Sequence, residues 1–308
     1  MIALPIVLGP TASGKSDLAI HIALATGGEI VNCDSLQIYR GFDIGTAKVP
    51  PSERRGVVHH LIDLVDPDQI FTAGEYARTA RDVLQQIAER DHTAVVVGGT
   101  GFYLRALLEG LSPGPPREET IRTRLQLREE KRRGSLHRIL TRLDPTAAAR
   151  IHSNDRNKII RALEVRLVAG RPISELFDQG REGLQGFQPI KIGLNPPRSL
   201  LYQRMNDRAV RIFENGLVDE VRGLLAAGAP RDAKPFGSLG YKQALAVVEG
   251  RLTPEEALIA TQVETRRYAK RQLTWFRREQ GIHWLDGFGD EPAIREKALS
   301  LLRLNSAD

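Results

Sequence analysis

Short apolar runs alternate with stretches of helical periodicity along the first hundred residues. Ile2–Leu8 is a continuous apolar run ended by Gly9, the pattern of a strand buried on both faces. Residues 17–25 then set Leu18, Ile22 and Ala25 on one helical face. Glu29–Asn32 predicts a second short strand, 57–65 a further strand or extended segment, and 93–97 a core strand. Residues 74–90 are amphipathic through Tyr76, Ala80, Val83, Leu84 and Ile87, and another helix runs to about Glu109. Strands alternating with helices predict a parallel sheet with helices packed on it.

The pattern breaks at 112–116, Ser-Pro-Gly-Pro-Pro. From 117 to 182 the periodicity is helical and no strand is indicated. A strand returns at 188–194, closed by Asn195-Pro196-Pro197. Helices follow at 198–215, 217–227, 241–249 and 254–279, then a strand at Ile282–Leu285 and a terminal helix. Gly216, Gly228 and Gly250 suit helix C-termini, and Thr253-Pro254-Glu255-Glu256 reads as a capping box. The expected organisation is an α/β core formed by 1–116 and 188–308, interrupted by a helical insertion domain at 117–187.

Composition adds one positional fact. The chain has 308 residues, 41% hydrophobic and 27% charged, with a net charge of +6. The span 117–182 holds 16 Lys and Arg against 10 Asp and Glu, a net of +6 that equals the whole chain's excess. Positive charge gathered in one helical segment points to a polyanion-binding face; its bland alternative is a solvated surface. One cysteine, Cys33, excludes an internal disulfide and a Cys-rich zinc site. No leader precedes the first strand and no apolar run is long enough to span a bilayer, so a cytoplasmic protein without membrane contact is expected.

The candidate chemistry begins at Gly9-Pro10-Thr11-Ala12-Ser13-Gly14-Lys15-Ser16, which matches G-x-x-x-x-G-K-[ST] between a strand and a helix. The fold class is therefore α/β with a P-loop NTPase-like parallel sheet. The glycines let backbone N–H groups wrap a phosphate, Lys15 supplies a full charge, and the Ser16 hydroxyl can hold Mg²⁺. No acid follows the core strand at 95–97, where a Walker-B Asp would stand; Gly98 does. Asp63 and Asp66 make no such signature. Asp34 follows the second strand, at the edge where ligands bind in open parallel sheets. It can serve as a general base, a Mg²⁺ ligand or a helix cap. The segment Gly98-Gly99-Thr100-Gly101 lacks the dinucleotide fingerprint, and adjacent His59 and His60 point to opposite sides of a strand, so both are read as structural.

Five blocks in order, GPTASGKS, CDSLQIYRGFDIGTAK, GGTGFYLRALLEG, RIHSNDRNKIIRALEV and RQLTWFRREQGIHWLD, resemble the bacterial tRNA dimethylallyltransferases, also called tRNA isopentenyltransferases. The resemblance spans nearly the whole chain. It implies transfer of the dimethylallyl group of dimethylallyl diphosphate to N6 of adenosine 37 in tRNA, by a monomer using Mg²⁺. It implies that residues 9–16 cradle the diphosphate, with Ser16 on the metal, and that Arg208 clamps it, although Arg204 lies close enough to compete for that role. It implies Asp34 as the base, with Thr100 beside it in the catalytic group. Ser35, Leu36, Gln37, Asp34 and Thr100 would line the tRNA site, and Arg122 with Asn157, Lys158, Ile159, Ile160 and Arg161 would contact tRNA from the insertion. Many members carry Gln-Arg where this chain has Asn157-Lys158, and Lys lacks Arg's bidentate reach. Two other readings stand beside this one: prenylation of free AMP or ATP, and an RNA-binding P-loop ATPase.

Overall fold

A computed structural model describes residues 1–177 and 180–305. The chain divides into two compact units, Met1–Leu108 with Leu184–Asp308, and Glu109–Gly183.

The first unit is built on β1 (Ile2–Leu8), α1 (Lys15–Thr26), β2 (Glu29–Asn32), β3 (His59–His60), α2 (Ala73–Glu89), β4 (Ala94–Val97) and α3 (Gly101–Glu109). The second holds α4 (Glu119–Lys131), α5 (Ser135–Leu143), α6 (Pro145–Arg150), α7 (Arg156–Ala169) and α8 (Ile173–Phe177). The first unit resumes with β5 (Phe187–Leu194), α9 (Arg198–Glu214), α10 (Leu217–Ala226), α11 (Tyr241–Val248), α12 (Pro254–Phe276), β6 (Ile282–Leu285) and α13 (Pro292–Asn305).

The six strands form one parallel sheet in the order β3-β2-β4-β1-β5-β6. Strand alternation sorts the core into two layers. Leu4, Ile6 and Leu8 of β1, Val31 and Val96 pack with Tyr76, Leu84, Leu104 and Leu107. Val7, Ile30, Val95 and Val97 pack on the other side with Leu18, Ile22, Ile294 and Leu302. Helices therefore cover both faces, as continuous apolar strands require. The fold is the expected α/β, P-loop NTPase-like class.

The carboxyl ends of β1, β2 and β4 come together at one edge. There the chain runs so close that a Cβ on Gly98 would lie 2.1 Å from the Cys33 carbonyl oxygen, so only glycine fits after β4. One expected element is shorter: of 57–65 only His59–His60 pairs as a strand. Leu61 and Asp63 have φ of 60° and 53°, which ends the ladder. Tertiary bonds hold this bend, with Asn32 Nδ2 donating to Leu61 O and Asp63 N donating to Gln37 O.

Among its described residues the second unit has helices and no strand. Its core is Leu125, Leu136, Leu140, Ala147, Ile159, Ile160 and Leu163. Buried carboxylates organise its helix ends. Glu129 accepts from Gly134 N and Leu136 N at the start of α5, and Asp144 caps α6 through Ala147 N. Glu164, fully buried, accepts from Glu118 N, Arg122 and Arg161. The unit starts at Glu109 and ends at Gly183, earlier at both ends than the expected 117–187. The proline-rich stretch belongs with it because Arg161 donates to Pro115 O, while Leu184 N bonds back to Leu108 O in the first unit.

Candidate active site

The loop after β1 curls through residues with unusual backbone angles. Gly9 has φ 149°, Ala12 63° and Gly14 80°. A side chain on Gly14 would meet Gly289 N at 2.9 Å, and Gly289 N donates to Ser13 O, so the loop is braced from the segment after β6. Helix α1 begins at Lys15, which aims the N–H groups of its first turn and their partial positive charge into the same space. Lys15 Nζ donates to Pro10 O at 2.7 Å. Burial, then the nearby Arg208, lowers the Lys15 pKa to about 7, against a smaller opposing pull from Asp34.

Asp34 stands two residues past β2. Asn32, itself buried, positions it: Asn32 Oδ1 accepts Asp34 N at 3.1 Å and Asn32 Nδ2 donates to Asp34 O at 3.2 Å. Asp34 Oδ1 accepts Leu36 N at 2.9 Å, an Asx turn. No helix begins there, so the helix-cap reading is removed. Oδ2 makes no hydrogen bond among the described residues. Thr100 Oγ1 accepts Ser35 N at 3.1 Å and lies 3.4 Å from Ser35 Oγ, which ties the segment after β4 to the turn after β2. Gln37 Nε2 donates to Thr46 O at 3.2 Å.

Helices α9 and α12 close the space. Arg208 reaches Thr46 O at 3.5 Å and forms no salt bridge among the described residues. Its pKa is lowered by burial, with Asp34 pulling it back up. Arg204 also lines this space, but its guanidinium pairs with Asp290 at 2.7 Å and lies over the Phe288 ring. The two arginines are thus distinguished: Arg208 is the cation free to meet an anion. Tyr268 and Gln272 complete the wall, and burial raises the Tyr268 phenol pKa.

The result is a cavity of about 270 Å³ containing Thr11 to Asp17, Asp34, Gln37, Arg208 and Arg211. Cations outnumber carboxylates in it, and the loop that starts α1 shares it with the Asp34 carboxylate. That arrangement can hold an oligophosphate and take a proton from a group beside it. Among the described residues no three His, Cys, Asp or Glu side chains converge as a metal site. A larger cavity of about 550 Å³ lies near the start of α9 and the end of α12, lined by Pro196, Pro197, Leu201 and Leu273. It lacks the phosphate loop and its lysine, which makes the smaller cavity the candidate site.

In the second unit, the residues expected at tRNA separate into two sets. Asn157 is exposed, as is Lys158, which pairs with Asp155 at 2.7 Å. Arg122 and Arg161 are held by Glu164, Arg122 with its side chain 11% exposed. Ile159 and Ile160, each 2% exposed, are core, and a side-chain contact with tRNA is withdrawn for both. Sequence reasoning missed Asn32, Thr46, Tyr268 and Gln272. Nothing local marks Gln272, whose partners Thr11 and Gly99 are distant in sequence.

Residues 37–279 match the family model described as IPP transferase. The phosphate loop and Asp34 precede that span, but a match to a solved structure covers the whole chain. The chain is 58% identical to the tRNA dimethylallyltransferase of Solibacter usitatus, covering 95% of each chain, and 53% identical to that of Koribacter versatilis, covering 97% of each. Among solved structures it is similar to the tRNA isopentenylpyrophosphate transferase of Bacillus halodurans. That match has TM-score 0.72 and 35% identity, over 100% of this chain and 96% of the other. It is also similar to a eukaryotic dimethylallyltransferase studied acting on tRNA, with TM-score 0.82 and 26% identity, over 99% of this chain and 80% of that one.

Proposed function

The chain belongs to the IPP transferase family and is a tRNA-modifying prenyltransferase, and on that premise we propose the reaction its cavity performs. The dimethylallyl group of dimethylallyl diphosphate moves to N6 of adenosine 37 in the anticodon loop of tRNA. The bond between the allylic carbon and the diphosphate oxygen breaks, a bond from N6 to that carbon forms, and diphosphate leaves.

Each step asks for something the cavity offers. Diphosphate departs with negative charge, which Lys15, Arg208 and the N–H groups of Ala12 to Ser16 stabilise as it develops. An adenine amine is a weak nucleophile because its lone pair is delocalised into the ring. Asp34 takes the N6 proton as the bond forms. Gln37 presents an amide suited to an adenine edge, and Thr100 holds the Ser35 backbone beside it. The base must leave the anticodon stack to reach Asp34, so it is flipped out.

Mg²⁺ fits this site although among the described residues no three His, Cys, Asp or Glu side chains converge on it. The ion keeps most of its waters and binds through one or two protein oxygens plus substrate phosphates. Ser16, in the first turn of α1 with its side chain partly exposed, is the hydroxyl that would hold it, and it would neutralise the leaving diphosphate. The second unit supplies the tRNA surface: Arg124, Arg128, Lys131, Arg132, Arg133 and Arg138 are all exposed there. No helix among the described residues is long and apolar enough to cross a membrane, and a tRNA substrate supports a cytoplasmic protein.

The observation that carries this reading is the placement of Asp34, with an unengaged carboxylate oxygen, in one cavity with Lys15 and Arg208. Asp34→Asn tests it. Asparagine keeps the size and can accept the Leu36 N–H, but takes no proton. We expect single-turnover transfer to an anticodon stem-loop to fall about 10²- to 10⁴-fold, with donor and tRNA affinities nearly unchanged. If donor affinity falls too and added Mg²⁺ restores the rate, Asp34 is a metal ligand. An unchanged rate would remove it from the chemistry.

A further inference from the structure

Gln272 sits in the carboxyl-terminal part of α12, 6% exposed, and both ends of its amide are used. Its Oε1 accepts the Thr11 N–H at 2.9 Å, and its Nε2 donates to the Gly99 carbonyl at 3.0 Å. Thr11 belongs to the phosphate loop after β1. Gly99 belongs to the turn after β4, immediately before Thr100. Strands β1 and β4 are neighbours, and their ladder runs Ile6 to Val96 and Val7 to Val97 before the two chains leave the sheet. Beyond that point the loops have no ladder to space them. Gln272 bridges them with one donor and one acceptor, in the order the two backbone groups demand.

The turn after β4 is shaped to this amide. A Cβ on Gly99 would lie 2.2 Å from Gln272 Nε2, so any side chain there would drive the amide away. Core filling alone does not account for the residue. A methionine of similar length would fill the volume but leave the Thr11 N–H and the Gly99 carbonyl without this partner. Tyr268, one turn earlier on α12, lines the same cavity, which puts the bridge in its wall rather than in remote core.

We propose that Gln272 is a positioning residue that sets the spacing between the donor-holding loop and the acceptor-side turn, and with it the distance over which the prenyl group is transferred. The inference rests on the reaction proposed above. Gln272 touches neither reacting atom. It acts through Thr11 on the diphosphate and through Gly99 on the Thr100–Ser35 pair beside Asp34. Because each loop keeps its own binding groups, loss of the bridge should leave both substrates bound and slow the step between them. A misplacement of about 1 Å is enough to cost about 100-fold in rate.

The test uses the full chain with Gln272→Met, Gly99→Ala and the double variant. Dissociation constants for dimethylallyl diphosphate and for an anticodon stem-loop are measured beside the single-turnover transfer rate. We expect both affinities within about threefold of native and the rate about 10- to 100-fold lower in each single variant. The double variant should be no slower than the slower single one, since both act through one bridge. A Gln272→Met rate within about twofold of native would overturn the proposal, as would a rate loss matched by lost affinity. If Gln272→Met binds no donor because it is misfolded, Gly99→Ala decides by the same criteria. Native protein that transfers nothing to the stem-loop would instead sink the reaction itself.

Discussion

Lys15 is held where its own charge is penalised. Burial and Arg208 bring its pKa down to about 7, and Asp34 only partly compensates. In the proposed reaction a bound diphosphate would reverse the balance by placing negative charge against the ammonium. The sign follows: below about pH 7 the free site is already protonated, and above it donor binding must draw a proton from solution. Calorimetry at pH 8 in buffers of different ionisation enthalpy should show proton uptake on donor binding, absent in Lys15→Met; equal proton release or none in the native protein would contradict it. At this scale the sequence was informative where function is local. Residues 9–16 declare themselves by spacing, and Asp34 by its place after a strand. Arg204 and Arg208 could not be separated, because what separates them is Asp290, more than eighty residues away. Gln272 carried no mark at all: an amide in a basic helix gives no sign that it spans two loops.

Strand β2 shows how one element serves two ends of the sheet. Its last residues lead into Asp34, while its first, Glu29, is buried at the opposite edge. There Glu29 accepts from His60 at 2.5 Å, His92 at 2.7 Å and Arg90 at 3.0 Å, joining β2 to β3 and to the segment after α2. Burial alone would raise its pKa, but these three hydrogen bonds outweigh it and hold the carboxyl at about 2. A carboxylate with a depressed folded-state pKa stabilises above its unfolded value, near 4.5, and that contribution is lost as pH falls from there toward 2. Glu29→Leu should therefore lower stability by about 2–3 kcal/mol at pH 7 and by much less at pH 3, read by urea denaturation at both. A gap that does not shrink with acid would show that packing, not charge, holds this corner. The two histidines were rightly read as structural from their adjacency, yet the partner of His60 was not visible. The strand expected at 57–65 shortened for the same reason. Positive φ at Leu61 and Asp63 is set by Asn32 and Gln37, and apolar periodicity contains no record of such contacts.

For the whole molecule, the order of apolar and helical segments was sufficient to anticipate a parallel sheet interrupted by helices, because fully buried strands have few other solutions. The excess positive charge was equally legible, since charge counts do not depend on folding. The interior of the helical unit was not. Ile159 and Ile160 sit in a stretch that reads as tRNA-contacting but fill its core, and Arg122 and Arg161 spend their charge on Glu164. The charge left for a polyanion lies on α4 and the turn after it, on α5 through Arg138 and Arg142, and at Arg150 and Arg156. The proposed diphosphate cavity and the basic helical unit together favour a tRNA prenyltransferase over an enzyme acting on free nucleotides, which needs no such surface. The decisive measurement offers the purified chain labelled dimethylallyl diphosphate and Mg²⁺ with tRNA, AMP or ATP in parallel, and locates the label by digesting the product. Transfer to tRNA at N6 of adenosine 37, with none to AMP or ATP, is the predicted result; label on AMP or ATP with unmodified tRNA would contradict it.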